Sequence, residues 1–368
     1  MAYGTVNADV IGTSVSGSNL GAGNASIMKN RIINGAMVID QRNAGASVTP
    51  TNGAYTLDRW IYQASQASKV SIQQNAGSVT PPVGFNNYLG VTSLSAYTVG
   101  SAETFVVSQR IEGFNTADLG WGTANAKTVT LSFQVYSSLT GTFSGVFGNS
   151  NATRSYPFTY SIPIANTWTT ISVTIAGDTS GSWVGATNGV GIVVYFSLGT
   201  GSTLSGTAGS WSANGYYGAT GATSVVGTNG ATFYITGVQL EVGSSATGFE
   251  YVNYQTSLAN CQRYYWQQNS ETSFAGIASG QMNATTTARL TLRYPQIMRA
   301  TPTISMTTYG SFIVNQGGTD LTPSAMTPYA NSQSALIDVT TNAGTAGRGA
   351  TLIFANVSTG SIQATAEL

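Results

Sequence analysis

The chain has 368 residues, of which 7% are charged, 13 Lys+Arg against 13 Asp+Glu, where an ordinary globular protein has about a quarter. His is absent and Cys261 is the one cysteine, which excludes Cys/His zinc sites, His-dependent nucleophile systems and disulfide scaffolds. A formal net charge of +0 and a pI near 6.2 offer no basic footprint for phosphates, so nucleic acid is not an expected partner. With 42% hydrophobic and 10% aromatic residues, the chain can still build a core despite its 44 Gly. Its length suggests two domains.

Residues 1–28 are small and polar, with Gly-Ser-Asn clusters such as Ser16-Gly17-Ser18-Asn19. They read as an extended N-terminal arm that orders on a partner, which makes it the expected attachment end. Met1 to Asp9 shows no basic region followed by an apolar stretch, so no secretory signal is expected. The most apolar run, Val190 to Leu198, is about half the ~20 residues a membrane helix needs, so no membrane span is expected.

From residue 29 to 254 short strands alternate with turn residues, the pattern of a sandwich. Val129, Leu131, Phe133 and Val135 face one side and Thr130, Ser132, Gln134 and Tyr136 the other; Ile171, Val173 and Ile175 repeat the pattern. Ile192 to Phe196 is apolar throughout and predicts a central strand covered on both faces. Phe233 and Ile235 have the opposite parity to Val238, Leu240 and Val242, so a β-bulge is expected at Gly237, where a strand could pass between sheets. A short connecting helix within 255–268, from about Thr256 to Gln267, has Thr256 or Ser257 as its expected N-cap. Alternation resumes over 269–368, at Leu290 and Leu292, Ile304 and Met306, and Leu352 and Phe354, and predicts a second, smaller β-sandwich. The fold class is therefore all-β.

Without His, acid-base chemistry would fall to carboxylates. Asp118, Asp178, Glu103 and Glu112 show no glycosidase-like pairing in their spacing, and Asp178, in a Gly-bounded turn before Thr and Ser, reads as an Asx-turn residue. Asp320 and Asp338 are judged in the same way, so no catalytic residues and no enzyme are expected. A structural calcium ion is the candidate metal, with Asn34, Asp58 and Glu241 as oxygen ligands; an Asp58-Arg59 ion pair or turn contact is the alternative. Trp60 and Trp168 sit beside strand patterns and read as core. Trp183, Trp211, Tyr216 and Tyr217 lie in Gly/Ser/Thr/Asn-rich stretches, where flat rings beside hydroxyls and amides suit a neutral sugar. Packing in a core or a subunit interface is the other reading of these four.

Asn30-Arg31-Ile32-Ile33-Asn34-Gly35-Ala36-Met37, Asp40-Gln41-Arg42 and Tyr55-Thr56-Leu57-Asp58-Arg59-Trp60 open a recognisable pattern. Gln109 to Gly113 and Asn166-Thr167-Trp168 continue it, and Ile235 to Gly243, Ala246 to Glu250 and Cys261 to Tyr265 close it. Together they resemble a module of bacteriophage tail fibre and other virion surface proteins. The resemblance covers about residues 30 to 265 and implies a jelly-roll sandwich similar to carbohydrate-binding modules. Tyr294 to Thr303 and the ending Ala366-Glu367-Leu368 are similar to phage fibre tip domains. A virion fibre or spike subunit that attaches to a host-surface glycan or receptor is the function implied, commonly as a homotrimer, docked on other virion proteins through its arm. A capsid head fibre or decoration protein is the nearest alternative, and a capsule depolymerase a further one.

Overall fold

A computed structural model describes residues 28–356 and 359–368. The arm expected over residues 1–28 therefore lies, but for Met28, outside the described residues. The chain divides into two compact units with the break between Val252 and Asn253.

The first unit is a sandwich of two antiparallel sheets. One has six strands, in the spatial order Ala54–Tyr55, Ile61–Ala64, Thr104–Glu112, Val190–Thr200, Gly141–Gly148 and Ser155–Ile162. The other has five, in the order Val70–Gln74, Leu89–Ser93, Thr232–Val242, Val129–Ser137 and Thr169–Ile175. The expected alternation is realised, with Val129, Leu131, Phe133 and Val135 all buried in the core between the sheets. There Phe133 meets Phe196 of the opposite sheet at 5.2 Å between ring centroids. Burial of such rings from water is the main stabilising term.

Val190–Thr200 is the central strand expected. Ile192, Val194, Phe196 and Leu198 enter the main core, while Val193 and Tyr195 join Val106 and Val146 in a second cluster on the outer face. The bulge at Gly237 is also present. The Thr232–Val242 strand slips against Val129–Ser137 between Thr236 and Gln239, and Gly237 adopts a left-handed φ of 62°. The strand does not change sheets there: it pairs with Val129–Ser137 on both sides of the slip. Trp60 is core, but Trp168 is half-buried and packs with Tyr88, Tyr136 and Tyr234 outside the main core.

The second unit holds a seven-stranded sheet, a three-stranded sheet and a helix. Leu290, Leu292, Leu352 and Phe354 from the larger sheet share a core with Trp266, Ile362 and Ala364 from the smaller one. The helix runs over Tyr254–Gln262, starting two residues earlier and ending five earlier than the periodicity suggests. Asn253, rather than Thr256 or Ser257, caps it by accepting a bond from the Thr256 N–H at 2.8 Å. Tyr265–Asn269 instead forms a strand that pairs with Ser361–Thr365. The helix belongs to the second unit rather than standing between two domains. No helix among the described residues is long and apolar enough to cross a membrane.

Candidate functional site

Several of the motif segments meet along one polar seam in the first unit. The Asn30 Oδ1 accepts the N–H groups of Ile32 and Leu240, and its Nδ2 donates to Val238 O at 3.0 Å. Arg31 holds Asp118 through two 2.8 Å bonds, and Gln109 closes both backbone groups of Ile33. The bulge is where this segment lands, since Val238 N–H donates to Gly35 O at 3.0 Å. These bonds fasten the segment from Asn30 to Met37 to the sandwich, and the side-chain amides of Asn30 and Gln109 are occupied by that task.

The calcium reading fails on the same geometry. Asn34 donates to Ile39 O and Asp58 O, and its Oδ1 accepts Ile39 N–H. The Asp58 carboxylate receives the Gln41 N–H at 2.7 Å and the Gln41 Nε2 at 2.6 Å, with Arg42 at 3.8 Å. Glu241 is taken up by Gln239 and by the backbone and hydroxyl of Thr247. Donor hydrogens and a guanidinium point at these oxygens, an arrangement that does not fit a cation. Asp58 and Arg59 lie in the turn that Trp60 N–H closes onto Leu57 O at 3.0 Å, the turn contact of the alternative reading; Asp58 also faces Arg42, and Arg59 donates to Arg110 O. Among the described residues, no group of three or more His, Cys, Asp or Glu could hold a metal.

Of the four aromatic candidates, Trp183 and Trp211 come together and Tyr216 and Tyr217 do not join them. The two indoles are 5.5 Å apart at an interplanar angle of 81°, and each packs edge-on against buried Trp121, at 4.9 and 5.3 Å. Tyr156 closes on Trp211 at 5.2 Å. Both indole nitrogens are satisfied: Trp183 Nε1 donates to Ser180 O and Asp178 Oδ2, and Trp211 Nε1 to Ala176 O. Both rings pack against the main core and remain partly exposed.

Asp178 anchors this end. It is 1% exposed, accepts Arg154 Nε and Nη2 at 2.7 Å each, and also accepts the Ser180 N–H at 3.1 Å, the Asx turn expected of it. The hydrogen bond to Asp178 raises the pKa of the Arg154 guanidinium further. Arg154 and Trp121 are the participants that spacing along the chain does not reveal, because they approach Asp178 and Trp183 only through the fold. In the neighbouring loops, Asn149 donates to Thr153 and to Ser182 O, beside Trp183 in the chain.

Tyr216 and Tyr217 hold down a loop instead. Tyr216 packs over Gly206 and accepts from Asn214 Nδ2, and Tyr217 meets Tyr195 edge-on at 5.1 Å on the outer face of the six-stranded sheet. Burial raises the Tyr195 pKa well above the ordinary phenol value. Three further carboxylates are committed as well. Glu103 accepts from Gly100 N–H, Gln66 and Tyr97, Asp320 accepts from Asn315, and Asp338 pairs with Arg289 through two 2.8 Å bonds.

No family model matches the sequence, and no curated protein matches it. Among solved structures, a putative sugar binding protein from Bacteroides thetaiotaomicron aligns over 58% of this chain and 100% of its own, at 15% identity and a TM-score of 0.35. The enzymatically active domain of bacteriophage CBA120 tailspike protein 4 aligns over 53% of this chain, at 10% identity and a TM-score of 0.29; the match spans 21% of that chain. A family 11 carbohydrate-binding module from Clostridium thermocellum aligns over 54% of this chain and 96% of its own, at 11% identity and a TM-score of 0.27.

Proposed function

We propose that this chain is a surface subunit of a virus particle, a tail fibre or spike, that attaches to a neutral host-surface glycan through the aromatic end of its first unit and does not cleave it. The observation that carries the binding half is the pair of partly exposed indoles, Trp183 and Trp211. Their nitrogens are satisfied by neighbouring protein oxygens, their rings keep surface in water, and the loops around them are rich in uncharged hydroxyls and amides. A sugar's C–H face stacks on such rings while its hydroxyls find neutral partners. Fixing the rings against Trp121 and the Arg154–Asp178 pair lowers the entropy lost on binding.

The virion half rests on the sequence motifs between residues 30 and 265. Binding without catalysis is supported by the engagement of Asp118, Asp178, Glu103 and Asp338 with donors of their own. Association into a homotrimer would cover apolar side chains of the first unit that stand in water, such as Val83, Ile164 and Tyr251. The test is adsorption of the purified chain to host cells and to polysaccharide extracted from them. Trp183→Ala with Trp211→Ala is expected to abolish adsorption while the β-sheet circular dichroism is kept. The double Phe variant, which retains a ring in each place, weakens it less. Unchanged adsorption in the folded Ala variant overturns the proposal.

A further inference from the structure

We infer that the first unit carries a second, separate pocket that takes a single uncharged sugar ring, beside Ser197. The inference shares only its ligand class with the proposed function. At the end of the Val190–Thr200 strand the register against Thr104–Glu112 slips between Ser197 and Gly199. The chain then turns back, and Ser205–Gly206 pairs in parallel with Gly218–Ala219. Between these pieces lies a pocket of about 210 Å³ lined by Ser197, Thr200, Ser202, Ser205, Thr220 and Thr223, with Ser205 Oγ donating to the Thr200 and Gly201 carbonyls and Thr220 Oγ1 to Gly206 O. No charged residue and no residue of the Trp183 and Trp211 end lines it.

Chemistry and size select the ligand. Ser205 and Thr220 spend their hydroxyl protons on backbone carbonyls and Ser197 bonds to Thr200, which leaves oxygen lone pairs to accept; with the Ser202 and Thr223 hydroxyls, which both donate and accept, the lining matches a molecule that does the same. A charged ligand would meet no counter-charge, and an apolar one would strip water from the hydroxyls without replacing its bonds. Ser197, 2% exposed, is the most demanding of them; its Oγ lies 2.8 Å from Thr200 Oγ1, a pair placed together at the buried wall. The volume, below the ~300 Å³ at which pockets for drug-sized ligands begin, is on the scale of one ring with its hydroxyls.

The walls are held in place without a ligand. Thr223 N–H donates to Thr142 O at 2.7 Å, Thr220 N–H to Gly206 O at 2.9 Å and Ala219 N–H to Ser144 Oγ at 3.1 Å. Gly218 keeps the buried hydroxyls clear, since a methyl group there would stand 2.9 Å from Thr200 Oγ1 and 3.2 Å from Ser197 Oγ. At the mouth, Gly221 has a φ of +80° and open space around it.

The test is a titration of the isotope-labelled full chain with glucose, galactose, mannose and N-acetylglucosamine, followed by the backbone amide resonances. At least one of these sugars is expected to shift Thr200, Thr220 and Gly221. Thr220→Trp, at an exposed position on the rim, is expected to abolish the shifts, and Thr200→Val to weaken binding about fivefold by removing one hydrogen bond. Trp211→Ala should leave them intact. If none of the four sugars shifts these amides, or if shifts persist unchanged in both Thr220→Trp and Thr200→Val, the pocket is refuted. That result leaves the aromatic end untouched, whose own failure is read separately as unchanged cell adsorption in the folded Trp183/Trp211 Ala variant.

Discussion

Gly35→Ala isolates the close approach on which the polar seam depends. A Cβ at position 35 would lie 2.1 Å from the backbone oxygen of Val238 and 3.2 Å from its carbon, against an atom of the bulged strand that cannot swing aside. Relief requires the segment to lift by more than 1 Å, on the order of the gap to an ordinary contact. That movement breaks the Val238 N–H to Gly35 O bond and stretches the Asn30 Nδ2 bond to Val238 O, both 3.0 Å. At about 1 kcal/mol for each bond, with about 1 kcal/mol more for a buried group left unsatisfied, the loss is about 3 kcal/mol. For a unit of this size that lowers Tm by about 6–12 °C. Gly248→Ala, in the same seam, meets no atom within 4 Å and is expected to be neutral or to stabilise by up to about 1 kcal/mol. Urea unfolding followed by tryptophan fluorescence reads both, because Trp60, Trp121, Trp168, Trp183 and Trp211 lie in the first unit and only Trp266 in the second. A Gly35→Ala transition within 1 kcal/mol of the parent, about its ordinary measurement error plus propensity, would refute the steric reasoning.

Removing the Asp178 carboxylate by Asp178→Ala leaves Arg154 facing a buried site without its counter-ion. Because the Arg154 side chain keeps 17% exposure, the cost is expected near the lower end of the range for broken buried pairs, about 3 kcal/mol; a loss below 1 kcal/mol in the same urea assay would contradict it. In the second unit the hydrogen bond from Arg289 holds the Asp338 pKa below its ordinary value. A depressed carboxylate pKa adds stability above the unfolded value of about 3.9 that is lost as pH falls through the folded pKa. Arg289→Gln should therefore flatten the acid limb of that unit's stability, and an acid limb unchanged between pH 5 and 2, on the scale of the ordinary Asp titration, would contradict the pairing. In the cavity, Thr220→Trp should remove sugar-induced amide shifts with no change in urea midpoint.

Period-two patterns were legible in particular strands: Val129, Leu131, Phe133 and Val135 all enter the core, and the parity change at Gly237 marks a real bulge. Both are local properties of a strand, so they can be read without knowing its neighbours. The helix end was not, because Leu258, Cys261, Tyr264 and Tyr265 keep helical spacing while the last of them is claimed by the Ser361–Thr365 strand, almost 100 residues on. Tertiary pairing overrides a local period of that length. The aromatic end was half legible. Composition picks out Trp183 and Trp211, but not that Trp121 forms their floor or that Arg154 locks Asp178 beneath them. Tyr216 and Tyr217 have the same composition around them, yet they fasten the loop over the outer face. The calcium reading took Asn34, Asp58 and Glu241 as free oxygen donors, whereas the fold supplies each with N–H or O–H partners.

Adsorption of the purified chain to host cells and to their extracted polysaccharide, compared with the Trp183→Ala/Trp211→Ala variant of matched circular dichroism, bears most directly on glycan attachment through the aromatic end. The parent should bind and soluble polysaccharide should compete, while the variant should lose binding by at least about tenfold, the equivalent of about 1.4 kcal/mol. Equal adsorption of parent and variant would contradict the account.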